Sequence, residues 1–235
     1  MSDWLHRERM MLGDAAVARL EAASVMLFGV GGVGGFALEA LVRAGIGRIA
    51  LVDSDTVAES NINRQIIADT ETVGMKKTAA GAARCRRINP AVTIVEYDVF
   101  AEEANIPAML DEFRPDYIID AIDTISSKIA IIRAAKAREI PIVSCMGTGS
   151  KLDPTRFRIA DIEKTHTCPL AKAVRLKLRE AGIKHVEVLF SDEPPIRVTE
   201  RDGSRNVPGS VSFVPSAAGI ILGGHVVKKI AELPV

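Results

Sequence analysis

A glycine-rich run, GVGGVG at residues 29–34, is the first feature of this sequence that suggests chemistry. It follows an apolar segment typical of a buried strand and precedes a segment with helical periodicity. Glycines at such a turn let backbone N–H groups approach a phosphate at the N-terminus of the helix. Asp53 ends the next apolar segment, where a carboxylate can bind ribose hydroxyls. Together these features predict a nucleotide site, although the run alone also fits a plain strand-to-helix turn. The candidate phosphate-binding glycines are Gly29, Gly31, Gly32 and Gly34.

Two basic residues after Asp53 indicate which nucleotide is bound. Arg64 lies in a polar stretch that follows Asp53 at the carboxyl edge of the predicted sheet. Lys77 lies in the first turn of the next predicted helix, where the helix dipole favours anions and a lysine gains nothing. A triphosphate that loses pyrophosphate accumulates negative charge and needs such cations. We therefore predict ATP rather than NAD, with a solvated helix start and a surface arginine as the alternative.

Two aspartates flank the end of the fourth predicted strand, in the sequence IDAIDT. A carboxylate beside phosphates can hold Mg²⁺ through its oxygens. Asp123 lies nearer the crevice where the strand order of the sheet is expected to reverse. We predict Asp123 as the Mg²⁺ ligand and Asp120 as a structural hydrogen-bond acceptor, with the reverse assignment left open.

Alternating apolar runs and helical patterns predict the elements that position these residues. The predicted strands are 24–30, 48–52, 92–95, 117–122 and 140–144, and the predicted helices are 14–22, 35–44, 76–88, 102–113 and 126–138. Later segments predict strands at 156–162 and 186–191, helices at 169–181 and 215–232, and a loop at 193–208. The fold class that follows is α/β, a Rossmann-like doubly wound, mostly parallel sheet extended by antiparallel strands. We expect one domain, with a helical arm over 1–23, a nucleotide-binding part over 24–147 and a substrate-facing extension over 148–235.

Composition limits the environment and the partners of the chain. Its 235 residues include 30 basic and 30 acidic side chains, so only a local patch can attract nucleic acid. Three separated cysteines form no CxxC pair, which argues against zinc-staple spacing and a disulfide framework and favours a reducing cytoplasm. The first residues lack the pattern of a signal peptide. We predict a buried helix over the apolar segment 211–227, with a membrane anchor as the alternative.

Five motifs occur in order over residues 24 to 124: GVGGVG, DSD, SNINRQ, VGMKK and AIDT. Together they resemble the ubiquitin-activating superfamily of adenylating enzymes, which includes the bacterial sulfur-carrier adenylyltransferases of thiamine and molybdopterin synthesis. Three later segments, CMGTGSKLDPT, IADIEKT and PLAKAVR, resemble the branch of that superfamily that dehydrates threonylcarbamoyladenosine in tRNA. This second resemblance covers nearly the whole chain.

The resemblance implies a homodimer that binds ATP and Mg²⁺. It implies that the glycine loop wraps the phosphates, that Asp53 binds the ribose and that Asp123 binds Mg²⁺. An N-terminal arginine, here Arg9, would reach the ATP of the partner subunit. The residues expected at the triphosphate are Asn61, Arg64 and Lys77, and Asp55 and Asn63 of the same polar stretch complete the candidate nucleotide-binding set.

The implied reaction is adenylation of the threonyl carboxylate of the modified adenosine, followed by ring closure with loss of water. A tRNA substrate predicts a basic face, and a cysteine desulfurase or sulfur-carrier system is a further candidate partner. The acid-poor basic set, alternatively a solvated face, comprises Lys151, Arg156, Arg158, Lys164, Lys172, Arg175, Lys177 and Arg179.

Three other hypotheses stay open at this stage. The first is an enzyme of the same superfamily that activates the C-terminal glycine of a ubiquitin-like sulfur carrier. The second is an NAD-dependent oxidoreductase, which would need neither Arg64 nor Lys77. The third is a non-catalytic relative, which would have lost both.

Cys168, two residues from His166, is a candidate nucleophile, but dehydration needs none. We expect Cys85 and Cys145 to be buried.

Overall fold

A seven-stranded sheet organises the part of the chain that the computed structural model describes, residues 3–196 and 208–234. Its strand order is β3-β2-β1-β4-β5-β7-β6. The strands are β1 Ser24–Phe28, β2 Arg48–Val52, β3 Thr93–Tyr97, β4 Tyr117–Asp120, β5 Ile142–Cys145, β6 Phe157–Asp161 and β7 Glu187–Ser191. All neighbouring pairs are parallel except β6 with β7. The predicted mostly parallel, Rossmann-like sheet is confirmed, and its antiparallel extension consists of the edge strand β6 alone.

Helices cover both faces of this sheet. They are α1 His6–Leu12, α2 Asp14–Ala22, α3 Gly34–Arg43, α4 Lys77–Ile88, α5 Ile106–Phe113, α6 Ile125–Ala137, α7 Pro169–Glu180 and α8 Phe213–Ile230. Strand β1 shows why the apolar runs in the sequence are continuous rather than alternating: Val25 and Leu27 belong to one core, and Met26 and Phe28 belong to the other. A strand with helices on both sides needs apolar residues at every position.

The last helix, α8, packs directly on α3, the helix that follows the glycine-rich run. A Cβ on Gly219 would lie 2.2 Å from the Val33 carbonyl oxygen, and one on Gly223 would lie 2.6 Å from the Ala40 Cβ, so both positions need glycine. Among the described residues, α8 is the one helix long and apolar enough to cross a membrane by length and composition alone, and 50% of it is buried in the protein. Its close packing on α3 is that of the predicted core helix.

Several boundaries differ from the prediction for local reasons. An additional helix, α1, precedes the arm predicted at 14–22, and Gly13 separates the two with a φ of +84°. Helix α5 starts four residues late, because Pro107 occupies its second position, where a missing N–H costs nothing. Of the loop predicted at 193–208, residues 197–207 lie outside the described residues.

The topology fixes where a ligand can bind. From β1, the chain proceeds to β2 and β3 on one side, and later to β4 and β5 on the other. Loops that leave the carboxyl ends of β1 and β4 therefore diverge and open a crevice between them. The glycine-rich run follows β1, and Asp123 follows β4.

Candidate functional site

The turn from β1 into α3 has room only for glycine at two positions. Gly29 has a φ of +86°, and a Cβ there would lie 2.9 Å from the Ala121 carbonyl oxygen. A Cβ on Gly34, the first residue of α3, would lie 1.8 Å from the Gly29 carbonyl oxygen. The tight turn brings the N-terminus of α3 to the crevice, where its free N–H groups favour an anion.

Asp53 ties this loop to the end of β2. The Val30 N–H donates to Asp53 Oδ2 at 2.7 Å, and the Asp55 N–H donates to Asp53 Oδ1 at 2.9 Å. A carboxylate has about four acceptor sites, so two remain for ligand hydroxyls. Asp53 thus orders the loop and still presents acceptors to the crevice.

A cavity of about 470 Å³ occupies the crevice at the carboxyl ends of the strands. Most of the predicted nucleotide-binding residues meet there: Gly29, Gly31, Gly32, Asp53, Asp55, Asn61, Arg64, Lys77 and Asp123 line it. Gly34 is buried, and Asn63 lines a second, adjacent cavity. Arg9 lines neither cavity.

Lys77 is the most deeply buried cation of the cavity, at 7% exposure. It is the first residue of α4, and its Nζ donates to Asp55 Oδ2 at 2.6 Å. The lysine therefore lies at the helix end that disfavours cations, as the sequence predicts, and an adjacent carboxylate balances its charge. Its burial fixes the position of the ammonium group at the cavity wall.

Arg64 and Asn61 belong to a short turn of 3₁₀-helix, Glu59–Asn61, and the residues that follow it. Arg64 Nη1 donates to the Ser60 carbonyl oxygen at 2.9 Å and to Asn63 Oδ1 at 2.8 Å. Asn61 Oδ1 accepts the Ala58 N–H at 3.1 Å, which leaves its amide N–H groups without a partner among the described residues. Both side chains line the cavity as donors, which suits an anionic ligand.

The two aspartates after β4 have different surroundings. Asp120 is fully buried and pairs with the equally buried Lys128, whose Nζ lies 2.9 Å from Asp120 Oδ2. Ser144 Oγ and the Ile122 N–H also donate to Asp120, at 2.5 and 3.1 Å. Asp123 is exposed at the cavity rim, and among the described residues only the Thr124 hydroxyl donates to it, at 3.4 Å. Asp120 therefore shapes the turn, and Asp123 is free to bind a ligand.

Three contributions to the cavity were not predicted from the sequence. The loop after β3 supplies Val99, Phe100 and Ala101, and Gln65 and Thr148 complete the wall. Gln65 is 6% exposed, and its Oε1 is the one buried side-chain oxygen or nitrogen without a hydrogen-bond partner among the described residues. Its place beside Arg64 was the available signal, whereas no pattern in the sequence marks the loop after β3.

Arg9 contacts acidic residues of its own subunit. Its guanidinium lies 3.1 Å from Asp3, 3.7 Å from Asp14 and 3.2 Å from Glu21, measured to carboxylate oxygens. Two exposed methionines, Met10 and Met11, follow it on α1. The N-terminal arm thus presents both an arginine and apolar surface.

The basic set predicted between residues 151 and 179 is largely compensated by nearby acids, so the expectation of an acid-poor face was wrong. Arg156 and Arg158 pair with Asp192, Arg179 with Glu163 and Lys177 with Glu180. Asp192 and Glu163 are distant in sequence from the arginines they pair with, whereas Glu180 lies three residues after Lys177 on the same helix. Arg175 is occupied by hydrogen bonds to Thr165, Lys151 is buried, and Lys164 and Lys172 form no ion pair within the described part of the chain.

The three cysteines are buried and unbonded. Burial raises the pKa of Cys85 and of Cys145, in each case to about 12, so both thiols stay protonated at neutral pH. Cys168 is 2% exposed and lines the second cavity, while His166 stacks edge-on against Phe190 with ring centres 5.4 Å apart. This arrangement lacks the hydrogen-bonded cysteine–histidine pair that an activated nucleophile needs.

Comparison with known proteins adds to this geometry. The ThiF family model matches residues 5–234. The tRNA threonylcarbamoyladenosine dehydratase of Bacillus subtilis is 46% identical over 240 residues, which cover 96% of this chain and 94% of that protein. The molybdopterin-synthase adenylyltransferase of Escherichia coli is 30% identical over 149 residues, which cover 63% of this chain and 59% of that protein. The crystal structure of the E. coli tRNA N6-threonylcarbamoyladenosine dehydratase in complex with AMP superposes with a TM-score of 0.90 at 32% identity, and covers 99% of this chain and 96% of that chain.

Proposed function

Because this chain belongs to the ThiF family, we propose that it uses ATP to dehydrate threonylcarbamoyladenosine in tRNA. One observation supports this most: Arg64, Lys77 and Asp123 meet the glycine-rich loop in one cavity. The likeness to the Bacillus subtilis dehydratase extends over nearly the full length of both proteins, and therefore includes the extension after β5.

The cavity suggests how ATP lies in it. The triphosphate lies on the glycine-rich loop and the N-terminus of α3, between Arg64 and Lys77, and the ribose binds Asp53. The adenine then lies toward Val99 and Phe100, which supply the apolar wall. An ATP molecule in this orientation would have its α-phosphate beside Asp123, which lines the same cavity.

The residues present fit Mg²⁺. Within the described residues no group of three or more His, Cys, Asp or Glu side chains is placed to hold a metal ion alone. Mg²⁺ at nucleotide sites commonly binds one or two carboxylates together with phosphate oxygens and water, and Asp123 offers one uncommitted carboxylate. Bound Mg²⁺ would supply charge neutralisation at the phosphates.

The reaction follows from the chemistry of a carboxylate, which is a poor electrophile because its leaving group would be oxide. A threonyl carboxylate oxygen attacks the α-phosphorus, and pyrophosphate leaves. The carbamoyl oxygen or nitrogen of the same modified adenosine then attacks the activated carbonyl carbon, a ring closes and AMP leaves. The net change is loss of one water from the nucleoside. Arg64 and Lys77 position two anions and offset their mutual repulsion.

The subunits are proposed to form a homodimer in which Arg9 reaches the nucleotide of the partner subunit. To bind the phosphates, Arg9 would have to break its ion pairs with Asp3 and Glu21. A mixing experiment tests this: Arg9→Ala and Lys77→Ala are each expected to lose most of the activity, and heterodimers formed from them regain activity. In such a heterodimer one site has an intact Lys77 and receives an intact Arg9. Failure of formed heterodimers to regain activity would contradict the role of Arg9.

The proposed function is tested by incubating the protein with ATP, Mg²⁺ and tRNA that carries threonylcarbamoyladenosine. The expected products are AMP, pyrophosphate and a nucleoside lighter by one water. Turnover in this mixture would also show that the predicted cysteine desulfurase or sulfur-carrier partner is dispensable. No mass loss, combined with pyrophosphate exchange on a carrier protein that ends in Gly-Gly, would instead establish the adenylyltransferase alternative. We propose a cytoplasmic location, in keeping with the tRNA substrate.

A further inference from the structure

A second cavity, of about 680 Å³, adjoins the nucleotide cavity on the side of the extension. The two cavities share six lining residues, Val33, Arg64, Ala121, Ile122, Asp123 and Thr148, and are therefore neighbours across a common wall. Its far wall consists of the loop after β5, from Gly147 to Lys151, and the start of α7. A ligand in this cavity would approach the nucleotide at the end that holds Asp123.

The far wall is held in place by hydrogen bonds independent of any ligand. The Glu193 carboxylate accepts the N–H groups of Leu152 and Asp153, at 2.9 and 3.0 Å, and the Glu193 carbonyl oxygen accepts Lys151 Nζ. The Ser150 N–H donates to the Gly209 carbonyl oxygen at 2.8 Å. The cavity is thus preformed, which lowers the ordering cost of binding.

The charge of the lining favours an anion. Among the described residues of the lining, Arg64 and Lys151 are basic and Asp123 is acidic, so the basic side chains outnumber the acidic by two to one. Asp123 also lines the nucleotide cavity, where the proposed Mg²⁺ would offset its charge. The N-terminus of α7, at Pro169 and Leu170, adds the positive end of a helix of 12 residues.

Lys151 is the distinctive member of this wall. It is 4% exposed, and its ammonium group bonds to a neutral carbonyl oxygen rather than to a carboxylate. Burial lowers the pKa of Lys151. Within the described part of the chain Lys151 forms no ion pair, and a buried cation in that position is stabilised when an anion binds beside it.

We propose that the second cavity binds the threonylcarbamoyl group of the modified adenosine, and that Lys151 compensates the charge of its carboxylate. This inference rests on the proposed function and deepens it. Two anions must meet for adenylation: Arg64 and Lys77 serve the triphosphate, and Lys151 serves the acceptor. The cavity is large enough for a nucleoside, because small-ligand sites commonly measure about 300–1,000 Å³.

The test separates the acceptor group from the rest of the tRNA. The ligands are free threonylcarbamoyladenosine and plain adenosine, titrated into protein saturated with an ATP analogue that cannot be cleaved at the α-phosphate. We expect the parent protein to bind the modified nucleoside about tenfold more tightly, since a charge-assisted contact is worth roughly that factor. Lys151→Met should abolish this preference and leave the affinity for the ATP analogue unchanged, which also reports that the variant is folded.

A second variant and a control ensure that the test does not depend on the Lys151 substitution alone. Leu170→Trp fills the second cavity from α7 without altering the nucleotide cavity, and should abolish the preference as well. Lys184→Met removes an exposed lysine from the turn after α7 and should retain it. Retained preference in both Lys151→Met and Leu170→Trp would overturn the assignment.

The failure of this inference is distinguishable from failure of the proposed function. A parent protein that dehydrates the modified tRNA but binds both nucleosides equally would overturn the cavity assignment alone. A parent protein with no activity on the modified tRNA would overturn the proposed function and this inference with it. Preference for a Gly-Gly peptide over the modified nucleoside would assign the cavity to a carrier protein instead.

Discussion

The nucleotide-binding part of the chain and the extension after β5 hold their basic residues in different ways. In the first, Lys77 and Lys128 are 7% and 0% exposed, and each pairs with one aspartate near the carboxyl edge of the sheet. In the extension, Arg156 and Arg179 pair with acids at the surface, with about half of each side chain exposed. Lys151 differs from both of these arginines, since it is buried and lines the second cavity.

The difference shows that a count of charges along the sequence does not predict a binding surface. A run of basic residues carries little net local charge when acids such as Glu163 and Asp192 pair with it in the folded protein. A single buried lysine does indicate where an anionic partner binds, because burying its charge has a free-energy cost that such a partner must compensate. We therefore place the chemistry at the buried cations that line the cavities, and expect the exposed cations that pair with surface acids to contribute little.

The largest effect is expected at the buried pair beneath the cavities. Lys128→Met leaves Asp120 without its cation in a fully buried site, and should lower the free energy of unfolding by about 3–5 kcal/mol. Arg133→Met is the matched control on the same helix, because it removes an exposed pair with Glu103 and should cost at most about 1 kcal/mol. Denaturant titration of both variants checks this, and equal losses would remove the distinction between buried and exposed cations.

The next largest effect is expected on catalysis. Lys77→Ala and Arg64→Ala should each raise the activation free energy, measured from kcat/KM, by about 2–4 kcal/mol, because each removes a cation from the phosphates. Lys76→Ala is the control: Lys76, the residue before Lys77, has a side chain that is 48% exposed and pairs with Asp98 at 3.1 Å. Near-parental turnover of both cavity variants would contradict the phosphate assignment.

A smaller effect that depends on pH is expected at Glu39. Burial raises its pKa, but hydrogen bonds from Arg84 and Arg43 outweigh that and hold the pKa below its usual value. A lowered pKa in the folded state contributes stability at neutral pH that is lost as the pH falls below the unfolded value. Glu39→Gln should therefore be less stable than the parent at pH 7, and the difference should shrink progressively as the pH falls below the unfolded pKa of a glutamate, about 4.3, as measured by thermal unfolding. A difference that does not change with pH would refute the ionic contribution.

The smallest effect should come from the surface of the extension. Replacing both Arg156 and Arg179 by alanine removes charges that acids already balance, so tRNA affinity should change little. Replacing Lys164 and Lys172 removes two exposed cations, and should lower the slope of tRNA affinity against salt concentration by about one unit for each phosphate that is no longer neutralised. Binding titrations at several salt concentrations distinguish the pairs, and equal slopes would show that pairing does not decide which cations meet the tRNA.

The sequence predicted the first five strands and the residues at their carboxyl ends because local rules govern both. Continuous apolar runs mark strands that are covered on two faces, and Gly29 and Gly34 mark a turn where any side chain would clash. The insertion of β7 between β5 and β6 could not be predicted, because pairing order in the extension depends on contacts between distant segments. The roles of the individual cavity residues stay predictions until the variants are measured.

The parts of the site that the sequence missed are those made by tertiary contact. Lys128 sits in an apolar helical pattern, and only the fold shows that it meets Asp120. Phe100 lines the cavity because β3 ends beside β2, and no feature of its own neighbourhood indicates a ligand. Lys151 belongs to a basic surface stripe by its sequence neighbours, and only its burial places it in the second cavity.

Isotope tracing tests the central claim, that ATP is used to adenylate a carboxylate, most directly. The threonyl carboxylate of the tRNA substrate would be labelled with a heavy oxygen isotope, and the reaction products analysed by mass spectrometry. Adenylation predicts that one labelled oxygen leaves with AMP and that the cyclised nucleoside retains the other. Label in inorganic phosphate with release of ADP, or AMP without label, would contradict adenylation of the carboxylate.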